Sequence, residues 1–401
     1  MDRGDFSSDR QQYLVPVERG QLAFVPPPLP DSLPLSGSAA MALSRADRAI
    51  GALDGIGSWM PNPYLLIQPF MRREAVLSSR IEGTQASLTD LVIYEAAGAP
   101  AKNQLPADVH EVANYVAALE WALRPDRNLP VSLRLLQRLH EILMTGVRGQ
   151  DQRPGEFRSI QNYIGQPGTP IEQASYVPPP PQQMIEALYG LEAYLNRTDR
   201  LPPLVHLALT HYQFEAIHPF RDGNGRVGRL LVSLLLVERG LISQPLLYLS
   251  AYFEAHRAEY YRRLSRVSQQ ADWDGWVTFF VNGVAEQAAD AVGRARALVD
   301  LRAAYHARLV GPRASALPLK LVDYLFMSPV VTVVGAQAHL GVTRRAASLI
   351  VDKLADAGIL SVMRDVDRNR PYFAREIFSL LEGPLPGRTA AGSDQITLDL
   401  V

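Results

Sequence analysis

His218-Pro219-Phe220-Arg221-Asp222-Gly223-Asn224-Gly225-Arg226-Val227-Gly228-Arg229 is the stretch from which the rest of the chain is read. One helical segment ends near Ala216. Another begins after Gly225, with Val227, Leu230, Leu231 and Leu234 as its apolar stripe. Between them lies a tight turn. Gly223 and Gly225 allow backbone conformations closed to other residues and let a ligand approach the main chain. Successive N–H groups followed by a helix N-terminus form a concave anion site. Arg226 and Arg229, three apart, share a helix face, and guanidinium forks match phosphate oxygens. Cations oppose the dipole at that helix end unless an anion is bound. Asp222 is a hard oxygen ligand suited to phosphate-bound Mg²⁺. His218 can accept a hydroxyl proton near neutral pH. The residues therefore spell a phosphate cradle, a Mg²⁺ ligand and a general base. For a lone Gly-Asn-Gly, a solvated helix–loop–helix corner would be the better reading.

Outward from this string the chain is mainly helical. Residues 1–40 are proline-rich with little period and read as an extended arm. Helical pattern is expected from Ser44, with Ser44-Arg45-Ala46-Asp47 as its entry, and then from Tyr64 to Ile81. Further amphipathic stretches cover 107–123, 131–144, 182–196, 203–216, 225–238, 259–267 and 273–308. Periodicity lapses from Gly146 to Pro181, a length typical of functional loops. His206 and His211 read as packing histidines. Near Gly311 the character changes, and 384–401 reads as a polar tail.

The net charge of −1 excludes a bulk polyanion binder. The absence of cysteine excludes disulfide scaffolds, thiolate metal sites and cysteine nucleophiles. The polar start and the short aliphatic run Leu230–Val237 suggest neither signal peptide nor membrane span, so a cytoplasmic protein without membrane partners is expected.

The central string resembles the Fic family signature HxFx(D/E)GNGRxxR, matched at every specified position. Arg153-Pro154-Gly155-Glu156-Phe157-Arg158, Glu111-Val112 with Asn114-Tyr115, Leu249-Ser250 through Tyr260-Tyr261 and Asp272-Trp273-Asp274-Gly275-Trp276 extend the resemblance over about residues 12–300. It implies a Fic-type helical bundle over 106–310, preceded by an N-terminal helical region over 41–105. It also implies AMP transfer from ATP to a Ser, Thr or Tyr hydroxyl of a target protein, with pyrophosphate released. His218 would be the base, and Asp222 would hold Mg²⁺. Gly223, Asn224 and Gly225 would form the anion hole, while Arg226 and Arg229 grip the β- and γ-phosphates. Ser78-Ser79-Arg80-Ile81-Glu82-Gly83 resembles the family's inhibitory motif (S/T)xxxE(G/N). Glu82 would take Arg229 from the γ-phosphate, with Ser78 steadying the Glu82 carboxylate. A short β-hairpin flap at Ile171–Pro178, with Ser175, Tyr176 and Val177 as its β-prone part, would pair with the target. Tyr261, more than Tyr260, would close over the adenine. Two alternatives are a DNA-binding regulator with a nucleotide-sensing Fic domain and an enzyme that removes AMP. Self-modification and a homodimer are further expectations left open.

Residues 314–383 read as a winged helix-turn-helix. Ala336–Leu340 and Arg344 onward are its helices, Gly341 the turn, Thr343 an N-cap, and Leu360–Met363 and Pro371–Ala374 the ribbon. Over 320–375, eight Lys/Arg face five Asp/Glu. Arg344, Arg345, Arg368 and Arg370 could meet DNA, and docking of a protein explains the module equally well.

Overall fold

A computed structural model describes residues 1–59, 63–96, 107–165, 168–197, 200–310, 315–362 and 370–385. The chain forms two compact units, residues 1–63 with 70–289 and residues 64–69 with 290–401.

In the first unit the amino-terminal arm is more structured than expected. Strands β1 (Leu14–Pro16) and β2 (Leu22–Phe24) pair antiparallel, and Phe6, Leu14 and Phe24 bury together. Arg10 is buried beneath this hairpin. Its Nε donates to the Ser268 carbonyl at 3.0 Å, and its guanidinium lies 5.2 Å from the ring centres of Tyr13 and Phe24. Helix α1 runs Gly37–Trp59, starting seven residues before Ser44. The Ser36 hydroxyl accepts the Ala39 N–H, and Asp274 holds Ser36 through two 2.8 Å bonds. Small residues at 37–40 give no apolar stripe to read, yet alanine favours helix strongly. Helices α2 (Tyr64–Ile81), part of this unit from Phe70 onward, and α3 (Leu88–Ala96) follow.

The centre of this unit is built by α4 (Ala107–Ala122), α5 (Leu133–Met144), α6 (Pro181–Leu195), α7 (Pro203–Ile217) and α8 (Asn224–Glu238). Almost every residue of α7 is buried, so it is apolar all round rather than amphipathic. His206 and His211 are core residues. His211 Nε2 lies 2.8 Å from the Tyr260 hydroxyl, and burial pushes its pKa down to about 3. Around this centre lie α9 (Ser250–Ala255), α10 (Arg257–Gln270) and the first part of α11 (Trp273–Leu309). Trp276 of α11 donates to the Ala208 carbonyl at 2.8 Å.

The expected boundary at residue 310 falls inside the second unit, which already claims α11 from Asp290. Arg302 and His306 both reach Asp323, at 2.7 and 3.0 Å, and Arg294 bonds the Gly383 carbonyl. The other elements are α12 (Ala316–Met327), β3 (Val330–Val331), α13 (Val333–Leu340), α14 (Arg344–Asp356), β4 (Ser361–Val362), β5 (Tyr372–Phe373) and α15 (Arg375–Glu382). The strands form an antiparallel sheet in the order β3-β5-β4. Gly341 is left-handed at φ +66°, and the Thr343 hydroxyl caps α14 through the Ala346 N–H. Arg368 and most of the loop between β4 and β5 lie outside the described residues, as do 386–401 of the expected tail. Among the described residues no helix is long and apolar enough to cross a membrane.

Candidate active site

Helix α7 stops at His218, whose backbone is left-handed (φ 49°, ψ 61°) while its N–H still bonds the Phe214 carbonyl. That conformation costs a non-glycine residue about 1–2 kcal/mol. Arg158 offsets it. Its buried guanidinium donates to the carbonyls of His218 (2.9 Å), Pro179 (2.5 Å) and Ile160 (3.2 Å). Burial lowers its pKa to about 10, so it stays charged at neutral pH. Arg158→Met should therefore strand buried carbonyls and lower stability by about 3 kcal/mol. Thermal denaturation checks this, and an unchanged melting temperature would contradict it.

Phe220 anchors the loop. Its ring is buried and stacks on His140 at 3.9 Å with the planes 5° apart. The His140 tautomer follows from its partners. Nδ1 accepts the Gly155 N–H at 2.9 Å, so Nε2 donates to the Asp222 carbonyl at 3.0 Å. Burial holds its pKa down at about 4, which keeps the ring neutral. Asn224 then ties the loop shut. Its Oδ1 accepts from the Phe220 N–H and its Nδ2 donates to the Phe220 carbonyl, both at 2.8 Å. The Asn224 side chain thus braces the turn, leaving main-chain N–H groups for an anion. The first helical bond of α8 is from Val227 to Gly223 at 3.1 Å, so the N–H groups of 224–226 have no helical acceptor behind them.

The two arginines are held differently. Arg226 Nη1 meets Glu111 Oε2 at 3.0 Å with both side chains almost fully buried, and Arg148 approaches the other Glu111 oxygen at 3.5 Å. Arg229 donates to Ser78 Oγ (2.8 Å), the Ser78 carbonyl (2.9 Å) and Glu82 Oε1 (2.7 Å). Ser78 therefore binds the arginine rather than steadying the Glu82 carboxylate as expected. The Arg229 side chain is 2% exposed and that of Glu82 33%. Burial disfavours the Glu82 charge, but Arg229 outweighs it and holds the carboxyl below its ordinary range.

The Glu82 carboxylate lies over the helix N-terminus. A Cβ on Gly225 would sit 2.2 Å from Glu82 Oε1 and 2.9 Å from Arg229 Nη1. A methyl group here would have to push the Glu82 carboxylate aside, because that anion occupies the space it would fill. Glu82 ends α2, where Gly83 turns left-handed at φ +95°. Helix α2 is pinned nearby by Glu74, a buried carboxyl accepting from Tyr115 (3.1 Å) and from the Ser250 N–H (3.2 Å) and hydroxyl (2.5 Å).

The arrangement is a basic, glycine-lined helix start with a histidine at its rim and an internal carboxylate seated on it. Family models described as "Fic/DOC family N-terminal" and "Fic/DOC family" match residues 40–124 and 130–236. The chain belongs to the Fic family. A protein adenylyltransferase Fic of Drosophila grimshawi is 34% identical over 116 residues, covering 28% of this chain and 22% of that protein. One of Culex quinquefasciatus is 29% identical over 177 residues, covering 43% and 32%. The chain thus matches less than a third of the length of these curated relatives. A Fic family protein from Desulfovibrio desulfuricans G20 superposes with a TM-score of 0.53 at 20% identity, covering 85% of this chain and 97% of that one. That likeness supports the mainly helical Fic fold.

Within this Fic chain His218 is neutral. Burial, then the Arg158 charge, lowers its pKa to about 4. The Asp222 carboxylate is exposed, with Oδ1 accepting from the Gly223 N–H at 2.6 Å. Tyr261 lines a cavity of about 880 Å³ together with Ile164, Ser175, Glu215, Arg257 and Leu264. Tyr260 is buried against His211 instead.

The expected flap needs correction. Ile171–Gln173 is a single 3₁₀ turn, and among the described residues the pairing is one bridge, Ile164 with Tyr176. Val177 is buried and its carbonyl already accepts from Phe24 at 2.9 Å. The Tyr176 hydroxyl is turned inward to the Ala216 carbonyl at 2.7 Å. The docked amino-terminal hairpin takes the Val177 carbonyl that pairing with a target would use. Ile164 and Ser175 still face the cavity. Sequence reading gave no role to His140, Arg158, Glu111 or Glu215. A histidine or carboxylate on an apolar helix carries no local mark of its distant partner.

Proposed function

We propose that this chain is a protein adenylyltransferase restrained by its own Glu82. The observation that carries this reading is the Glu82 carboxylate against Gly225 and Arg229, where an anion is favoured by position and charge. ATP would bind with its phosphates along the N-terminus of α8. Arg226, fixed by Glu111, and Arg229, once released by Glu82, would grip the β- and γ-phosphates. Main-chain N–H groups at Asn224 and Gly225 would stabilise charge on the α-phosphate, joined by that of Gly223 once Asp222 turns from it to an ion. The target's Ser, Thr or Tyr oxygen attacks the α-phosphorus in line, its proton passes to His218, and the bond to pyrophosphate breaks. Asp222 suits a Mg²⁺ that arrives with the phosphates, since one exposed carboxylate is enough for an ion ligated mainly by substrate and water. Such an ion would neutralise phosphate charge. Labelled AMP appearing on lysate proteins or on the chain itself, dependent on His218, tests the reading.

The C-terminal unit supports a second role. Its helix–Gly341–helix corner, three-stranded sheet and Arg344-Arg345 at the start of α14 favour a winged helix that binds DNA. Full-length protein should shift a DNA fragment at low salt, with affinity falling steeply as salt rises. Arg344→Ala with Arg345→Ala should weaken binding about tenfold. No shift at low salt would remove this role and favour docking of a protein.

A further inference from the structure

Glu215 lies one turn before His218, on α7. Its Oε1 is buried without a hydrogen-bond partner among the described residues. A Cβ on Gly228 would lie 2.3 Å from that oxygen, so α8 leaves room for the carboxyl as it does for Glu82 at Gly225. Glu215 also lines the cavity that holds Tyr261, Arg257 and Leu264. It is close enough to Arg229 and Glu82 for both charges to act on it, and Tyr261 feels all three. Burying an unpartnered carboxyl costs free energy that packing does not return. Nothing in the proton transfer or the phosphate grip uses it.

We infer that Glu215 is a specificity-determining residue that binds the ribose hydroxyls of the nucleotide. The inference rests on the nucleotide-binding reading above. Glu215 is near both the arginine assigned to the terminal phosphates and the Tyr261 wall of the cavity. A nucleotide spanning from Arg229 to Tyr261 places its sugar in that interval. Vicinal hydroxyls are donors, and the orphaned oxygen is a carboxylate acceptor in a cavity whose other polar side chains are hydroxyls, Gln173 and the cationic Arg257. Burial raises the Glu215 pKa to about 7, so near neutrality the group is partly ionised and its second oxygen can also exchange a hydrogen bond.

The test uses full-length protein carrying Glu82→Gly, with and without Glu215→Gln or Glu215→Leu. Displacement of a fluorescent ATP analogue measures binding of ATP, 2′-deoxy-ATP and 3′-deoxy-ATP without requiring transfer. The parent should prefer ATP over at least one deoxy analogue by about 10- to 100-fold, the range for a hydrogen bond to a charged group. Glu215→Leu should bring that ratio close to one by weakening ATP and leaving the deoxy analogue unchanged. Glu215→Gln should give an intermediate ratio. A purely structural role would weaken all three nucleotides together and overturn the inference, as would equal binding of ATP and both analogues by the parent. If the parent binds no nucleotide at all, the reading of the whole site fails first.

Discussion

Glu82→Gly should raise AMP transfer by roughly 100-fold. Breaking a buried ion pair costs about 3–5 kcal/mol, and the one-third exposure of Glu82 places this pair near the lower end. Nucleotide that must displace Glu82 from Arg229 bears that cost, and about 3 kcal/mol corresponds to roughly two powers of ten. Glycine is tolerated at position 82, since Glu82 is the final residue before the left-handed Gly83 and has φ −85°, ψ 3°. Arg229 keeps both Ser78 contacts in the variant, so the grip is freed without being dismantled. The measurement is the rate at which labelled AMP enters protein at fixed ATP and Mg²⁺. Matching rates for the variant and the parent would sink the restraint. Loss of AMP release from a modified target in this variant would instead favour the reverse reaction.

His218→Ala in the Glu82→Gly background should cut transfer by about 10²–10⁴, the usual contribution of a general base. Nucleotide binding should survive, because the imidazole is not among the groups assigned to the phosphates. The pH profile gives a sharper check. Burial and Arg158 lower the His218 pKa to about 4, so the ring is already neutral at pH 5 and above. A base must be unprotonated to act. Its ionisation should therefore leave the rate flat from pH 8 to about 5 and depress it only as pH falls toward 4. A drop centred near pH 6.5 that persists when Glu215 is replaced by Gln would show an ordinary, solvent-exposed histidine and contradict the buried geometry.

Much of the fold was legible because helices with an apolar stripe announce their period. Helix α5, with Leu133, Leu136, Leu139 and Leu143 buried, is such a case. The start of α1 escaped notice since Gly37, Ser38, Ala39 and Ala40 differ too little in hydropathy to show a face. The hairpin of β1 and β2 was hidden by strands of three residues, too short for alternation to register. At the site, the motif residues could be named from their spacing. What could not be read was their bookkeeping of contacts. Ser78 turned out to serve Arg229, Asn224 its own loop, and Val177 the amino-terminal hairpin. Each of those partners is distant in sequence or is a backbone group, and backbone groups carry no residue-type signal.

The Ser78 contacts have a consequence for speed. Arg229 is fixed at Nε and Nη2 by a hydroxyl and a carbonyl that do not depend on Glu82. Under the restrained-enzyme reading, switching on requires no reorganisation of a helix and no search by a long cationic side chain. One partly exposed carboxylate has to rotate away, an event of picoseconds to nanoseconds rather than the microseconds to milliseconds of a domain motion. Such a latch would follow changes in its nucleotide supply as fast as nucleotide arrives, and would reset as soon as the nucleotide departs.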